Sequence, residues 1–92
     1  NLANFFIALP GGFGTFDEIM NVISNISIGL LKKPIFIINI NNYYNHTIKQ
    51  INDGIKNNVI NPEILNTKSN NCKIFFVSNV NEAINKYNNI FI

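Results

Sequence analysis

The sequence predicts one small α/β domain built on a parallel β-sheet. Three short apolar runs alternate with three stretches in which apolar residues recur at helical spacing. This order is typical of a parallel sheet whose strands are joined by right-handed crossovers. The chain has 92 residues, of which 47% are hydrophobic, so it can bury the core of one domain.

The first predicted strand covers residues 4–9, an apolar run that ends at Pro10 and two glycines. A continuous apolar run is expected of a strand that is buried on both faces of a parallel sheet. Residues 10–18, which read PGGFGTFDE, then form a glycine-rich turn that leads into a helix.

The remaining elements follow from the same two patterns. A mostly buried helix is predicted over 16–31, and Lys32-Lys33-Pro34 should close it because lysines suit the negative end of the helix dipole and proline cannot continue a helix. A capping-box signature, Asn79 with Glu82, should open the last helix, which extends to about Tyr87. Between these two helices we expect a strand over 35–40, a helix over about 44–56, a polar loop over 66–71 and a strand over 73–77.

The glycine-rich turn predicts a site for a phosphate or a carboxylate. Gly11, Gly12 and Gly14 can adopt positive φ and allow a ligand close to the main chain, and the helix start offers unpaired N–H groups and a positive dipole end. The P-loop pattern does not match, because no lysine follows Gly14. The dinucleotide pattern also fails, because Asp17 occupies the position of its third glycine.

Two interpretations of Thr15 and Glu18 are open at this point. In the first, they form a T-x-x-E capping box, which stabilises a helix start by about 1 kcal/mol. In the second, Glu18 is a carboxylate in the first helical turn beside a bound phosphate, where the dipole keeps it ionised. Such a group can stabilise developing positive charge or orient a water molecule.

Charge and cysteine content argue against several other classes of function. The net charge of +2 comes from seven lysines with no arginine, and these lysines are scattered, so no nucleic-acid surface is expected. A single cysteine, Cys72, excludes an internal disulfide and a multi-cysteine zinc site. No apolar run approaches the about 18 residues that span a membrane. We expect no metal, no cofactor, no membrane partner and a cytoplasmic location.

The turn and its downstream landmarks resemble the LOG family of nucleoside 5′-monophosphate phosphoribohydrolases. This family includes the cytokinin-activating enzymes, and many members carry the label "lysine decarboxylase-like". The resemblance extends over roughly residues 2–87. Besides PGGFGTFDE, it rests on Gly29, Lys33-Pro34, the predicted strand over 35–40, Tyr43-Tyr44-Asn45 and the sequence VINPE at 59–63.

The resemblance implies a Rossmann-like, three-layer fold and a homodimer. It implies hydrolysis of the N-glycosidic bond of AMP or of N6-modified AMP, a cytokinin nucleotide, to free base and ribose 5-phosphate. By the same resemblance, Glu18 is the catalytic glutamate, and the helix that follows the motif contributes to dimer contacts. The residues that would bind the phosphate are Gly11, Gly12, Gly14 and Thr15.

The chain also departs from the family pattern. The family's second catalytic residue is an arginine upstream of the motif, accompanied by a second glycine-rich phosphate loop, and this chain has no arginine. We therefore expect residues 1–92 to be the C-terminal part of one domain and to be inactive alone. Asn25 and Ser27 stand where the family commonly has an aromatic residue and a glutamine. Asn41-Asn42 replaces an Asp-Gly turn, a mild change because asparagine tolerates positive φ.

Two other classes of function remain open. Related folds with a similar P-G-G-x-G-T turn, such as molybdenum-cofactor carrier-like proteins, bind a phosphorylated ligand without hydrolysing it. A truncated product without function is the other possibility. An arginine-containing segment upstream of the motif would favour the enzyme over the carrier.

Overall fold

Three strands and three helices alternate along the chain in the computed structural model, which describes residues 4–66, 68–69 and 72–92. The strands are β1 (Phe6–Ala8), β2 (Ile35–Ile38) and β3 (Ile74–Val77). The helices are α1 (Phe13–Ser27), α2 (Asn45–Lys56) and α3 (Val80–Phe91). Short 3₁₀ helices cover Ile40–Asn42 and Pro62–Ile64.

The sheet is parallel and its strands lie in sequence order, β1-β2-β3. In its register, Ile35 of the central strand pairs with Phe6 on one side and with Ile74 on the other. All four residues of β2 are buried, as expected for an apolar strand with a neighbour on each side and a helical layer on each face.

The helices cover the two faces of this sheet. Successive side chains of β2 point to opposite faces, so they belong alternately to two separate cores. Ile35 and Ile37 belong to a core shared with residues of α1 and α2, such as Ile19 and Ile51. Phe36 and Ile38 belong to a second core with Ala83 of α3. The predicted three-layer α/β architecture is therefore confirmed.

The prediction that the first strand is buried on both faces was wrong. The strand is shorter than the apolar run, and the side chain of Ile7 is 39% exposed. The reason is its place in the sheet: among the described strands, β1 has β2 as its one neighbour, so its other edge is open.

Helix α1 starts and ends earlier than its apolar pattern suggested. It ends at Ser27 because Gly29 adopts a φ of +80°, which stops the helix. Two bonds close this end: the Gly29 N–H donates to the Ile26 carbonyl at 3.1 Å, and the Leu30 N–H to the Asn25 carbonyl at 2.9 Å. The prediction that Lys32-Lys33-Pro34 closes the helix was wrong, because the positive φ of Gly29 ends the helix before these residues.

The last helix begins as predicted and runs further. The Asn79 side chain accepts a hydrogen bond from the Glu82 N–H at 2.8 Å, so Asn79 is the N-cap. The helix continues past Tyr87 to Phe91 because these two rings stack at 5.5 Å and pack against the second core. Of the predicted polar loop over 66–71, residues 66, 68 and 69 are described; positions 67, 70 and 71 lie outside the described residues.

Candidate active site

The glycine-rich turn follows β1 at its carboxyl end, the edge of a parallel sheet where ligands usually bind. Helix α1 begins at Phe13, with Gly12 as an extended N-cap (φ −96°, ψ −152°) and without a side-chain cap. The N–H of Phe16 donates to the Gly12 carbonyl at 3.0 Å, the first bond of the helical pattern. The N–H groups of Phe13, Gly14 and Thr15 precede that bond and can donate to an anion.

This helix start rules out the capping-box interpretation of Thr15 and Glu18. Because Gly12 is the N-cap, Thr15 is the third helical residue and lies inside the first turn. Glu18 lies one turn further along, and no acidic residue occupies the first turn. The expectation that Glu18 lies in the first helical turn was therefore also wrong.

None of the three motif glycines adopts the positive φ that glycine permits, and Gly29 is the one described glycine that does. Gly11 is needed for packing: a Cβ there would lie 2.8 Å from the Thr15 Cβ. At Gly12 and Gly14, in contrast, an added Cβ would meet no atom within 4 Å. These two glycines leave the space in front of the helix start open.

Thr15 and Glu18 line the same cleft, a cavity of about 270 Å³ beside β1. They lie on one side of α1 because residues three apart share a helix face. The other lining residues are apolar or proline: Phe6, Ile7, Ala8, Leu9, Pro10, Ile19, Val22 and Ile35. Among the described residues that line the cleft, Glu18 is thus the one ionisable group. Gly11, Gly12 and Gly14 adjoin the cleft along the chain.

Two tyrosines from the loop between β2 and α2 hold the main chain of the turn. The Tyr44 hydroxyl donates to the Leu9 carbonyl at 2.6 Å, and the Tyr43 hydroxyl donates to the Gly11 carbonyl. The Tyr44 side chain is 1% exposed. Burial, and to a lesser extent the neighbouring Tyr43, raise the pKa of the Tyr44 hydroxyl above its ordinary value.

The patterns in the sequence did not predict this role of Tyr43 and Tyr44. One signal points to it: a buried tyrosine requires a hydrogen-bond partner for its hydroxyl. The pattern does not say which partner, since the acceptors are main-chain carbonyls more than 30 residues away.

The loop that carries the tyrosines is itself fixed. Asn41 and Asn42 have φ of 53° and 60°, which confirms that asparagine serves in this turn where glycine is usual. The Asn39 side chain accepts from the Tyr44 N–H at 2.7 Å and donates to the Asn45 side chain at 2.8 Å. The tyrosines are therefore anchored to the carboxyl end of β2.

Two properties of the described residues bear on the class of site: their possible metal ligands and the length and polarity of their helices. Across residues 4–66, 68–69 and 72–92, no group of three or more His, Cys, Asp or Glu residues is arranged to hold a metal ion. Within the same residues, every helix is too short or too polar to cross a membrane.

Comparison with known proteins identifies the chain. The model of the family described as "Possible lysine decarboxylase" matches residues 1–87. This chain belongs to that family. The resemblance to LOG proteins is confirmed by curated relatives, whose names identify them as cytokinin riboside 5′-monophosphate phosphoribohydrolases.

These LOG relatives match a part of the chain. LOG7 of Arabidopsis thaliana is 38% identical over 60 residues, which are 65% of this chain and 28% of LOG7. LOG3 of the same plant is 39% identical over 57 residues, 62% of this chain and 26% of LOG3. The probable enzyme LOGL3 of Oryza sativa subsp. japonica is 39% identical over 57 residues, which are 62% of this chain and 27% of LOGL3. The matched segment thus covers about a quarter of each of these LOG relatives.

Proposed function

We propose that the protein containing this chain is a nucleoside 5′-monophosphate phosphoribohydrolase. It hydrolyses the N-glycosidic bond of AMP or of N6-modified AMP and releases the free base and ribose 5-phosphate. Membership of the family and the names of its relatives support this reaction class. The observation that carries the proposal is that Thr15 and Glu18 line one cleft next to a helix start with unpaired amides.

In this proposal the 5′-phosphate is bound at the start of α1. The N–H groups of Phe13, Gly14 and Thr15 donate to it, and the positive end of the helix dipole favours its charge. The Thr15 hydroxyl adds a further donor. Gly12 and Gly14 have no side chains and open space before them, so the phosphate can approach the main chain.

Glu18 is the proposed catalytic residue. It lies about 4.5 Å further along the helix than Thr15, because each residue rises about 1.5 Å, so the phosphate and the ribose of one nucleotide can face the two side chains together. As the base departs, the sugar gains oxocarbenium character, and a carboxylate next to it stabilises that positive charge.

The second part of the site is proposed to come from outside these 92 residues. The chain contains no arginine, whereas the family resemblance calls for one together with a second phosphate loop. The open edge of β1 runs along the cleft, so a further strand there would bring new residues directly to Glu18. The isolated chain is accordingly proposed to be inactive.

The older decarboxylase description of the family finds little support at this site. A decarboxylase that uses pyridoxal phosphate needs a lysine for the Schiff base, and no lysine is among the described residues that line the cleft. Hydrolysis requires only water as the second reactant, so the proposed reaction needs no cofactor.

A homodimer is part of the same proposal. Phe13 and Met20 lie two turns apart on one side of α1, with exposed fractions of 91% and 45%. Large apolar side chains exposed together on a helix favour contact with another protein surface. A second copy of the protein that packs against α1 would cover them beside the site.

The proposal is tested with the full gene product that contains this chain. Incubation with AMP and with N6-prenylated AMP should release ribose 5-phosphate, which is measured directly. Glu18→Gln should reduce kcat by at least about 100-fold. It should leave the melting temperature nearly unchanged, because Glu18 is exposed on the helix.

Asp17→Asn is the matched control, since Asp17 is the adjacent exposed carboxylate and is not among the residues that line the cleft. This variant should keep near wild-type activity. Retained activity in Glu18→Gln would refute the catalytic assignment. Binding of AMP without any release of ribose 5-phosphate by the wild-type protein would instead support a carrier of phosphorylated ligands.

A further inference from the structure

We propose that Tyr43 is a positioning residue for phosphate binding, because its hydroxyl holds the Gly11 carbonyl and thereby directs the Gly12 N–H toward the anion. The inference rests on the proposed function of the turn. It adds the Gly12 N–H as a fourth main-chain donor to the amides of Phe13, Gly14 and Thr15, and it assigns a role to a side chain outside the motif.

The planarity of the peptide unit links the bond at the Gly11 carbonyl to the direction of the Gly12 N–H. The Gly11 carbonyl and the Gly12 N–H belong to the same peptide unit, and every described peptide bond is trans. In a trans unit the C=O and the N–H point in opposite directions. Since the Tyr43 hydroxyl donates to the carbonyl, the Gly12 N–H points away from Tyr43.

A unit between two glycines needs such a restraint. Glycine adopts most backbone conformations at similar free energy, so a Gly-Gly unit can rotate and turn its carbonyl toward the site. A carbonyl oxygen there would repel a phosphate. The Tyr43 hydroxyl favours the orientation in which the N–H, and not the oxygen, is available.

Tyr43 is itself held from two sides. Its ring stacks on Phe16 of α1, with centroids 6.2 Å apart and planes inclined by 14°. The Tyr44 ring packs edge-on against it at 5.1 Å. The hydroxyl is therefore placed by a helix that starts at the site and by a loop anchored through Asn39, although the side chain is partly exposed.

The two tyrosines have different effects. Tyr44 donates to the Leu9 carbonyl, and the next residue is Pro10, which has no N–H. The Tyr44 bond therefore fixes the end of β1 without orienting any donor. Loss of the Tyr44 hydroxyl should reduce stability, whereas loss of the Tyr43 hydroxyl should reduce phosphate affinity.

The experiment uses Tyr43→Phe in the full gene product, with Tyr87→Phe as the matched control. Tyr87 packs against Phe5 and Phe91 on the opposite face of the sheet. Inorganic phosphate is titrated while the Gly12 amide is followed by NMR, and kcat and KM are measured with AMP and with adenosine.

Tyr43→Phe should weaken phosphate binding and raise KM for AMP by about 3- to 10-fold, as expected for one hydrogen bond. It should change kcat by less than about twofold and leave the parameters for adenosine unaltered, since adenosine lacks the phosphate. Tyr87→Phe should change none of these values. An equal effect on AMP and adenosine would indicate a general structural role and would overturn the inference.

The remaining outcomes separate this inference from the proposed function. If the wild-type protein hydrolyses AMP and Tyr43→Phe binds phosphate equally well, the inference is wrong and the function stands. If AMP is not hydrolysed but phosphate shifts the Gly12 amide more weakly in Tyr43→Phe, the function is wrong and the inference stands. If phosphate leaves the Gly12 amide unperturbed in the wild-type protein, the inference is wrong.

Discussion

Single residues of the PGGFGT turn have separate tasks although three of them are glycines. Gly11 makes room for the Thr15 side chain, which packs against it. Gly12 caps the helix with an extended backbone, and Gly14 occupies the first turn with open space in front of it. Only the last two leave room for a ligand, so substitutions at the three positions should differ in kind.

Gly14→Ala should separate stability from binding. Alanine is favoured over glycine inside a helix and nothing obstructs its methyl group, so the free energy of unfolding should rise by about 0.5–1 kcal/mol. The same methyl group would occupy the space proposed for the phosphate, so the Kd for AMP should rise at least about tenfold. Denaturant unfolding and an AMP titration measure the two effects.

Gly54→Ala is the control for this pair of measurements. Gly54 is also helical, but an added Cβ would lie 2.8 Å from the Ile60 Cγ1, so this variant should be less stable and should keep its AMP affinity. Unchanged AMP binding in Gly14→Ala would mean that the ligand does not approach the helix start.

The resemblance of the sequence to the LOG family selected Thr15 and Glu18 as candidate site residues, and the structure brings these two side chains into one cleft. The backbone angles of the glycines could not be predicted, because glycine permits several conformations at similar free energy. The contact of Tyr43 with Gly11 was missed because it joins a side chain to a distant main-chain carbonyl.

Among the secondary-structure elements, the sequence patterns identified the three α-helices and three strands of the described residues, but they misplaced both ends of α1. The start of α1 was predicted at residue 16 because the glycines read as a turn, whereas Gly14 is helical. Its end was predicted too late because Leu30 extended the apolar pattern, although its side chain is 76% exposed. Backbone caps at Gly12 and Gly29 decide both ends.

The N-cap of α3 gives a prediction at this scale. The Asn79 side chain accepts from the Glu82 N–H, and the Glu82 carboxylate accepts from the Ser78 N–H at 2.8 Å. Asn79→Ala removes the first bond and should lower the free energy of unfolding by about 1 kcal/mol. Denaturant unfolding of the full gene product measures it.

Asn81→Ala is a suitable comparison, because Asn81 lies exposed in the first turn of the same helix. Alanine has the higher helix propensity, so this variant should be as stable as the wild-type protein or slightly more so. Equal losses in Asn79→Ala and Asn81→Ala would mean that the cap contributes nothing specific.

For the molecule as a whole, the alternation of strands and helices sufficed to predict a parallel sheet with helical layers. Chain order within the sheet, and which helix covers which face, depend on tertiary packing and emerged only in the structure. The exposure of β1 also belongs to this scale: its apolar run is consistent with a central strand, and only the lack of a second described neighbour makes it an edge.

Alkaline pH should destabilise the folded molecule. Burial raises the pKa of Tyr44 above 10.0 and that of Cys72 above 9.0, their ordinary values, although Ile74 and Lys73 partly offset the effect at Cys72. Both groups thus hold their protons more tightly when folded than when unfolded. Their contribution to stability is complete below pH 9.0 and is lost as the pH rises above the ordinary pKa values of the two groups.

The free energy of unfolding, measured by denaturant from neutral pH to above 10.0, tests this expectation. Tyr44→Phe should lower stability at neutral pH, because the Leu9 carbonyl loses its donor, but it should flatten the decline above the ordinary tyrosine pKa. Tyr87→Phe should decline with the wild-type slope. An unaltered slope in Tyr44→Phe would show that Tyr44 ionises equally in both states.

The bond from Tyr43 to the Gly11 carbonyl has a consequence for comparative genomics. Every amino acid offers the same main-chain oxygen, so no exchange at position 11 can compensate for a change at position 43. Covariation between aligned columns, which detects compensating pairs of side chains, is therefore blind to this contact. Screens for residues that support phosphate turns in related proteins should score hydroxyl groups near turn carbonyls in coordinates instead of correlated substitutions.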